Sequence, residues 1–223
     1  MKETSKSVMR RLHDNRFMSR YLVGDGIDIG CGSDPISLYG ELFPLMKSLR
    51  TWDLPDGDAQ LLAGVADESF DFVHSSHCLE HMRDPTEALK NWFRVLKPGG
   101  HLIVLVPDED LYEMGIFPSQ SNLDHKWTFT LWKESSWCDK SVNVTDLVKT
   151  LGISAQPLKM ELLDGSYRYL LPRIDQTLTP IGECAIEIII RKYPASELAS
   201  KGRIEKNGQL TKELLFVLTG IEL

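Results

Sequence analysis

The stretch GIDIGCGSDP, at residues 26–35, has the pattern of a buried strand that ends in a glycine-containing loop. A dinucleotide-binding loop would follow the spacing G-x-G-x-x-G. Counted from Gly30, Gly32 fills the second position but Pro35 stands at the third. Asp28 lies two places before the first glycine, where a dinucleotide fold usually has an apolar residue. Asp28 and Pro35 therefore count against a dinucleotide, and the glycines of the loop do not by themselves choose which nucleotide-like ligand binds.

The composition is that of a globular protein. The chain has 223 residues, of which 42% are hydrophobic and 26% charged, and we expect residues 1–223 to form a single domain. The net charge of −7 argues against a nucleic-acid partner, because phosphate backbones need a basic surface. The four cysteines include no C-x-x-C pair, so we expect free thiols in a cytoplasmic setting. The N-terminus has no apolar run of the signal-peptide kind, and strings such as LIVLV are too short for membrane insertion.

Strand and helix patterns alternate along the chain. Strands are predicted at GIDIG, LRTWD, FDFVHSS and HLIVLVP, with two late strands at PLKMELLDG and CAIEIIIRKY. Helices are predicted over residues 3–22, PISLYGELFPLMKSL, the segment after Asp84, and SVNVTDLVKTLG. This alternation predicts an α/β fold with a doubly wound, mostly parallel sheet, whose ligands bind at the carboxyl ends of its strands.

The helix after Asp84 has the clearest signals. Asp84 is a good N-cap, Pro85 suits the first helical position, and an acid follows at Glu87. Apolar residues then recur at steps of three and four up to Leu96, and KPGG ends the pattern.

Three further segments surround this predicted sheet. The N-terminal arm, residues 1–22, is basic, and we interpret its charges as a solvated helix face, the alternative being an arm that folds over an anionic ligand. Residues 108–140 are polar and aromatic without periodicity, which indicates a substrate or lid insertion. Residues 194–223 are interpreted as a C-terminal extension.

An acidic residue also follows the second predicted strand. Asp53 stands 23 residues after Gly30, a distance that suits an acceptor for ribose hydroxyls. Turn chemistry in DLPDGD is the alternative explanation for Asp53 and for Asp58. Gly30, Gly32 and Asp53 together favour an adenosine-type ligand.

The segments DIGCGSD, WD, GDAQ, FDFVHSSHCLEHMRDP and RVLKPGGHLIVLVP occur in this order. Over roughly residues 20–110 the chain thereby resembles a class I S-adenosylmethionine-dependent methyltransferase of the small-molecule type. The resemblance implies a Rossmann-like sheet with an antiparallel late strand, S-adenosylmethionine as cofactor and S-adenosylhomocysteine as product. Only 17 residues separate Asp53 from Asp71, too few for the usual helix, strand and helix. We therefore expect the third strand of the family to be missing.

The resemblance also implies roles for cofactor-binding residues. Gly30 and Gly32 would pass the methionine part of the cofactor, and Asp28 would brace that loop near the amino group. Asp53 would hold the ribose hydroxyls. The remaining implied contacts are Asp58 and the Ala59 amide at the adenine ring, and a backbone carbonyl of Ser75 or Ser76 at the amino group.

The candidate catalytic residues are mainly histidines. If the acceptor is a hydroxyl, its high pKa calls for a general base or polarising group. His125, beside Trp127 in the insertion, is the first candidate and His77 the second, with Asp108 third; the resemblance places His81 near the methyl group. An ordinary exposed loop histidine is the alternative at position 125.

The acceptor and the reaction class are less constrained. Neither N-P-P-Y nor D-P-P-Y follows the FDFVHSS strand, so amino methylation of DNA is disfavoured, and a small-molecule or carbohydrate-type acceptor is expected. His74, His77 and His81 have only Cys78 nearby as a further ligand, so no metal is expected. A non-catalytic S-adenosylmethionine-binding protein remains an alternative. A dinucleotide-dependent oxidoreductase is another, against which Asp28 and Pro35 count.

Overall fold

A computed structural model describes residues 2–172 and 176–199 of the chain. Its main sheet has six strands in the spatial order β2-β1-β3-β4-β8-β7. In chain order, the strands are β1 (Gly24–Ile29), β2 (Met46–Trp52), β3 (Phe70–Ser76), β4 (Leu96–Pro107), β5 (Thr128–Thr130), β6 (Ser141–Asn143), β7 (Ala155–Leu163) and β8 (Ala185–Lys192). Strands β5 and β6 form a separate two-stranded parallel sheet.

The main sheet has the predicted doubly wound, mostly parallel arrangement. β1 pairs in parallel with β2 and with β3, β3 pairs in parallel with β4, and β8 runs antiparallel to both of its neighbours. Among the described residues no strand lies beyond β2, so the prediction that the third family strand is missing is confirmed. The register pairs Ile29 with Trp52 and with Ser75, which brings the loops after β1, β2 and β3 to one edge.

The helices are α1 (Glu3–Leu12), α2 (Pro85–Arg94), α3 (Val144–Lys149) and α4 (Ala195–Ala199). α2 begins as predicted, because the Asp84 carboxylate accepts hydrogen bonds from the Thr86 and Glu87 amides at 2.8 and 3.2 Å. Trp92 and Leu89 of α2 are fully buried against one face of the sheet, together with Val104 of β4. On the opposite face, Phe72 of β3 packs with Phe17 and other apolar side chains.

Three predicted helices differ from the structure. The helix expected over residues 3–22 ends at Leu12, and a separate turn of π-helix covers Phe17–Tyr21. The segment after Pro35 forms a 3₁₀-helix, Ile36–Leu42, and then enters β2 at Met46; Gly40 and Pro44 are poor helix formers. In SVNVTDLVKTLG the first three residues form β6, and Asn143 caps the short α3.

The solvated-face interpretation of the basic N-terminal residues is wrong for those of α1. The Arg11 side chain is fully buried and that of Lys6 is 5% exposed. Arg10 donates hydrogen bonds to both Glu183 and Glu187, at 2.8 and 2.7 Å. α1 is therefore fixed to the sheet by buried ion pairs.

The 108–140 insertion contains both buried and exposed side chains. It contains β5 and several buried side chains, among them Leu111, Tyr112 and His125, besides exposed positions such as Trp132. Of the C-terminal extension, residues 200–223 lie outside the described residues.

Candidate functional site

The loop after β1 forms the floor of the site. Gly30 has φ +68° and a side-chain Cβ there would meet the Cys78 sulfur at 2.2 Å, so only glycine fits without rearrangement. At Gly32, with φ +51°, a Cβ would meet no atom within 4 Å, which leaves the backbone open to an approaching ligand. The Gly-x-Gly pattern thus serves packing at its first position and access at its second.

Asp53 follows β2 at the same edge of the sheet. Its Oδ1 accepts a hydrogen bond from the Leu54 amide at 2.8 Å, and its own amide donates to Asp56 Oδ2 at 2.9 Å. This reciprocal cap fixes the 3₁₀-turn Leu54–Asp56. Asp53 lines a cavity of about 560 Å³, within the roughly 300–1,000 Å³ typical of small-molecule sites. The turn chemistry and the cavity position therefore coexist at Asp53.

The 560 Å³ cavity, here called the outer cavity, is also lined by the residues predicted to contact the adenine ring. Asp58 and Ala59 line it, together with Gly57, Met82 and Arg83. Asp58 Oδ2 accepts a hydrogen bond from Arg83 at 2.7 Å, and this contact lowers the pKa of the Asp58 carboxyl. Asp58 is thus held ionised at the rim of the cavity.

A second cavity of about 250 Å³, the inner cavity, adjoins the first at Gly30 of the β1 loop. Gly32, Ser76 and Asp34 line it, as do Glu3 and Thr4 of α1. Its remaining walls are Gly30, Cys31, Ser33, His77, Glu80, His81, Tyr112, Ser121, Asn122 and His125. Among the described residues no lysine or arginine lines it.

Three residues line both cavities: Gly30, His77 and His81. His77 has φ +53°, a left-handed backbone conformation that costs energy in residues other than glycine and is enriched at functional sites. Its side chain is 9% exposed, and its Nε2 has no hydrogen-bond partner in the described part of the chain. Burial, aided by repulsion from Lys6 and the other histidines, lowers the pKa of His77 to about 3. His77 is therefore a neutral imidazole at the junction of the two cavities.

His125 lies inside the protein and not on an exposed loop. Its side chain is 1% exposed, and Nδ1 lies 2.6 Å from Glu113 Oε1. The ring stacks on Tyr112 with centroids 5.3 Å apart and meets His81 edge-on at 5.0 Å. The alternative of an exposed histidine is wrong, and the predicted catalytic residues His77, His81 and His125 all line the inner cavity.

Glu80 and Glu113 were missed by the sequence reasoning. Both carboxylates are fully buried, and burial raises the pKa of Glu80 well above its usual value. Glu80 precedes His81 in a 3₁₀-turn, Leu79–His81, so the Glu-His dipeptide was a signal available in the sequence. Glu113 lies in an aperiodic segment that carries no comparable signal.

Asp28 lies beneath the loop and lines neither cavity. Its Oδ2 accepts a hydrogen bond from the Ile36 amide at 2.7 Å, and its Oδ1 accepts one from His74 Nδ1 at 2.6 Å. His74 Nε2 in turn lies 3.0 Å from the Arg11 guanidinium, whose Nε is 3.5 Å from Glu187. Asp28 thus braces the loop from below through a buried chain of charged and polar groups.

Ser75 and Asp108 also lie outside both cavities. The Ser75 hydroxyl is buried and donates to the Ile29 carbonyl at 3.0 Å, whereas Ser76 lines the inner cavity. Asp108 Oδ1 accepts hydrogen bonds from the amides of Asp110 and Leu111, both at 3.0 Å, and burial raises the pKa of Asp108 to about 6. The structure therefore brings neither side chain to the histidines.

Comparison with known proteins agrees with this geometry. Residues 45–104 match the family described as "Methyltransferase domain". A tRNA U34 carboxymethyltransferase from Hydrogenovibrio crunogenus is 32% identical over 149 residues, which are 58% of this chain and 43% of that protein. The chain thus spans less than half the length of that relative.

Solved structures show the same fold. An S-adenosylmethionine-dependent methyltransferase from Archaeoglobus fulgidus aligns with a TM-score of 0.54 and 19% identity, covering 86% of this chain and 95% of that one. A putative S-adenosylmethionine-dependent methyltransferase from Listeria monocytogenes aligns with a TM-score of 0.55 and 13% identity, covering 87% and 100%. The predicted Rossmann-like sheet is confirmed, and the match of residues 45–104 supports the predicted family and its S-adenosylmethionine cofactor. Within residues 2–172 and 176–199, no helix has the length and apolarity needed to cross a bilayer.

Proposed function

We propose that this chain, a class I S-adenosylmethionine-dependent methyltransferase, transfers the methyl group to a hydroxyl of a small polar acceptor held in the inner cavity. The observation that carries the proposal is the junction at Gly30, His77 and His81, which line both cavities. A cofactor lying across this junction would have its adenosine in the outer cavity and its methyl group facing the inner one.

The cofactor contacts proposed for the outer cavity follow from its lining. Asp53 would accept hydrogen bonds from the ribose hydroxyls, while Asp58 and the Ala59 amide would meet the adenine ring. The methionine part would pass Gly30 and Gly32, with open space beside the Gly32 backbone and Ser76 beside its amino group. Asp28 would act through the loop, which it braces from below.

The inner cavity suggests the class of acceptor. Its volume of about 250 Å³ suits a small molecule, and Glu3, Asp34 and Glu80 make its wall acidic. Because phosphate-bearing substrates need cationic partners, the carboxyl groups disfavour a phosphate in this cavity. Their oxygens can accept hydrogen bonds from the hydroxyls of a carbohydrate-type molecule, which is the acceptor class we propose. A tRNA acceptor, as in the Hydrogenovibrio crunogenus relative, is the second candidate, and it requires a single nucleotide to enter this cavity.

The chemistry is a direct displacement at the methyl carbon. The acceptor hydroxyl gives its proton to His77 Nε2, its oxygen forms a bond to the methyl carbon, and the carbon–sulfur bond breaks. The electron pair of that bond stays on sulfur and leaves neutral S-adenosylhomocysteine. His77 Nε2 lies at the junction of the two cavities and has no hydrogen-bond partner in the described part of the chain, so it is placed to meet the acceptor hydroxyl. Because a pKa of about 3 makes the ring a weak base, the proton then moves on to solvent. Alignment of the acceptor oxygen with the methyl carbon and sulfur, together with exclusion of water, supplies the remaining rate acceleration.

The test is a product screen with two arms. S-Adenosylhomocysteine formation is measured with pooled small hydroxyl compounds and, separately, with unmodified tRNA. We expect turnover in the first arm only, and a His77→Gln variant that binds S-adenosylhomocysteine normally but loses most of kcat. Turnover with tRNA alone would overturn the acceptor class. Cofactor binding without turnover in either arm would favour the non-catalytic alternative.

A further inference from the structure

We propose that Glu80, His81 and His125 bind a divalent transition-metal ion at the wall of the inner cavity. Each residue offers one donor atom, and these atoms lie within 4.8 Å of one another. His125 Nε2 is 3.7 Å and His81 Nε2 is 3.9 Å from the same Glu80 oxygen, Oε1. The three side chains therefore converge from two separate segments of the chain on one point.

Oxygen acceptors hold the Nδ1 atom of both histidines. His125 Nδ1 lies 2.6 Å from Glu113 Oε1, and His81 Nδ1 lies 3.2 Å from the Asp124 backbone carbonyl oxygen. An Nδ1–H donated to each of these oxygens leaves each Nε2 as a bare lone pair. Metal-bound histidines in proteins are oriented in the same way, by a carboxylate or a backbone carbonyl at the second ring nitrogen. Both rings are thus prepared to offer Nε2 towards Glu80.

Glu80 supplies the second, independent observation. Its side chain has no solvent exposure, and neither carboxylate oxygen has a hydrogen-bond partner within the described residues. Burying a carboxylate without partners is costly, and buried charges in proteins are normally paired or bound to metals. No lysine or arginine among the described residues lines the cavity. A bound cation would satisfy this carboxylate.

The distances require only a small adjustment. Ligands about 2.1 Å from a tetrahedral metal stand about 3.4 Å apart. The observed 3.7 and 3.9 Å from Glu80 Oε1 exceed this by a few tenths of an ångström, and all three donor atoms lie within 4.8 Å, so rotations of the three side chains would bring them to one ion.

Two imidazoles and one carboxylate favour zinc, iron or manganese over calcium or magnesium, and they leave at least one coordination position open. That position would face the inner cavity, where it could take the acceptor oxygen. An oxygen bound to such a metal loses its proton more readily. This role in catalysis rests on the proposed function, whereas metal binding itself does not.

The experiment is a titration of chelator-treated full-length protein with Co²⁺, followed by visible absorption, and with Zn²⁺, followed by calorimetry. We expect one ion per chain and d–d absorption bands of nitrogen- and oxygen-coordinated Co²⁺. His125→Gln and Glu80→Gln should each weaken binding at least a hundredfold. His13→Gln, which removes an exposed histidine, is the matched control and should bind as the wild type does.

Two further measurements guard against misfolding as an explanation. Glu113→Gln removes only the carboxylate charge that orients His125, and its metal affinity should fall about 10–100-fold. Zn²⁺ should raise the melting temperature of the wild type and not that of Glu80→Gln. If wild type and His13→Gln bind no metal at one-to-one stoichiometry, or if Glu80→Gln binds as tightly as wild type, the inference is wrong. S-Adenosylhomocysteine affinity, measured on the same samples, separates that failure from a failure of the proposed function.

Discussion

Asp53 offers the sharpest test of the cofactor site, because the structure separates its two roles. Oδ1 accepts the Leu54 amide hydrogen bond at 2.8 Å, and the carboxylate also lines the outer cavity. Asp53→Asn keeps an oxygen for the Leu54 amide but removes the charge that a ribose hydroxyl would meet. Hydrogen bonds to charged groups contribute about 1.5–3 kcal/mol. Because Asp53 is partly exposed, we take the lower end, about 1.5 kcal/mol, which corresponds to roughly a tenfold rise in Kd.

The assay is calorimetric titration of S-adenosylhomocysteine into wild type and variants, with thermal unfolding of each free protein. Asp56→Ala is the matched control, since Asp56 caps the same turn from the other side, at 2.9 Å from the Asp53 amide, and does not line the outer cavity. Asp56→Ala should bind S-adenosylhomocysteine with a Kd within about twofold of the wild-type value. An unchanged Kd in Asp53→Asn, or equal weakening in Asp56→Ala, would show that Asp53 acts only on the turn.

Three further predictions concern the loop, the buried charges and the insertion. Gly30→Ala should lower the free energy of unfolding by about 1–2 kcal/mol or more, because of its left-handed backbone and the contact with Cys78; chemical denaturation measures this. Burial opposes ionisation of Glu187, but the charges of Arg11 and Arg10 outweigh it and lower the pKa of Glu187 from 4.5 to about 2. The stabilisation that ionised Glu187 contributes is therefore full above pH 4.5 and disappears towards pH 2. Glu187→Gln should flatten the dependence of stability on pH in that window and should destabilise the protein at pH 7 by about 3 kcal/mol. Amide hydrogen exchange over residues 108–140 should slow when S-adenosylhomocysteine and acceptor are both present; equal exchange with and without them would leave the insertion as scaffold.

The sequence was most informative where the decisive interactions are local. Asp84 and Pro85 start α2 through contacts with residues two or three places away, and such caps can be recognised from the sequence. The missing third strand also followed from the chain itself, since 17 residues between Asp53 and Asp71 cannot hold a helix, a strand and another helix. The cofactor edge was predictable because parallel strands end together.

The failures involve partners that are distant in the chain. Arg11 has the pattern of an exposed basic residue, but it is buried between His74 and Glu187, which are 63 and 176 positions away. The contact between Glu113 and His125 joins two residues of an aperiodic segment, and neither has a local signal for burial. In both cases the folded sheet and its insertion bury the side chain, so the neighbouring residues in the sequence do not predict that burial.

The places where local rules fail are also close to one another in space. His77 adopts a left-handed backbone, and Glu80 carries a buried carboxylate without a partner in the described part of the chain. Glu3 of α1 is buried at the same cavity, with its Oε2 4.0 Å from His77 Nε2. Each feature lowers stability, and a protein selected for stability alone would be expected to lose them. Their concentration at one small cavity, beside the open backbone of Gly32, is what a site that binds a polar ligand or a cation would require. The rest of the described sheet, where apolar patterns and burial agree, then supplies the stability that this cavity lacks.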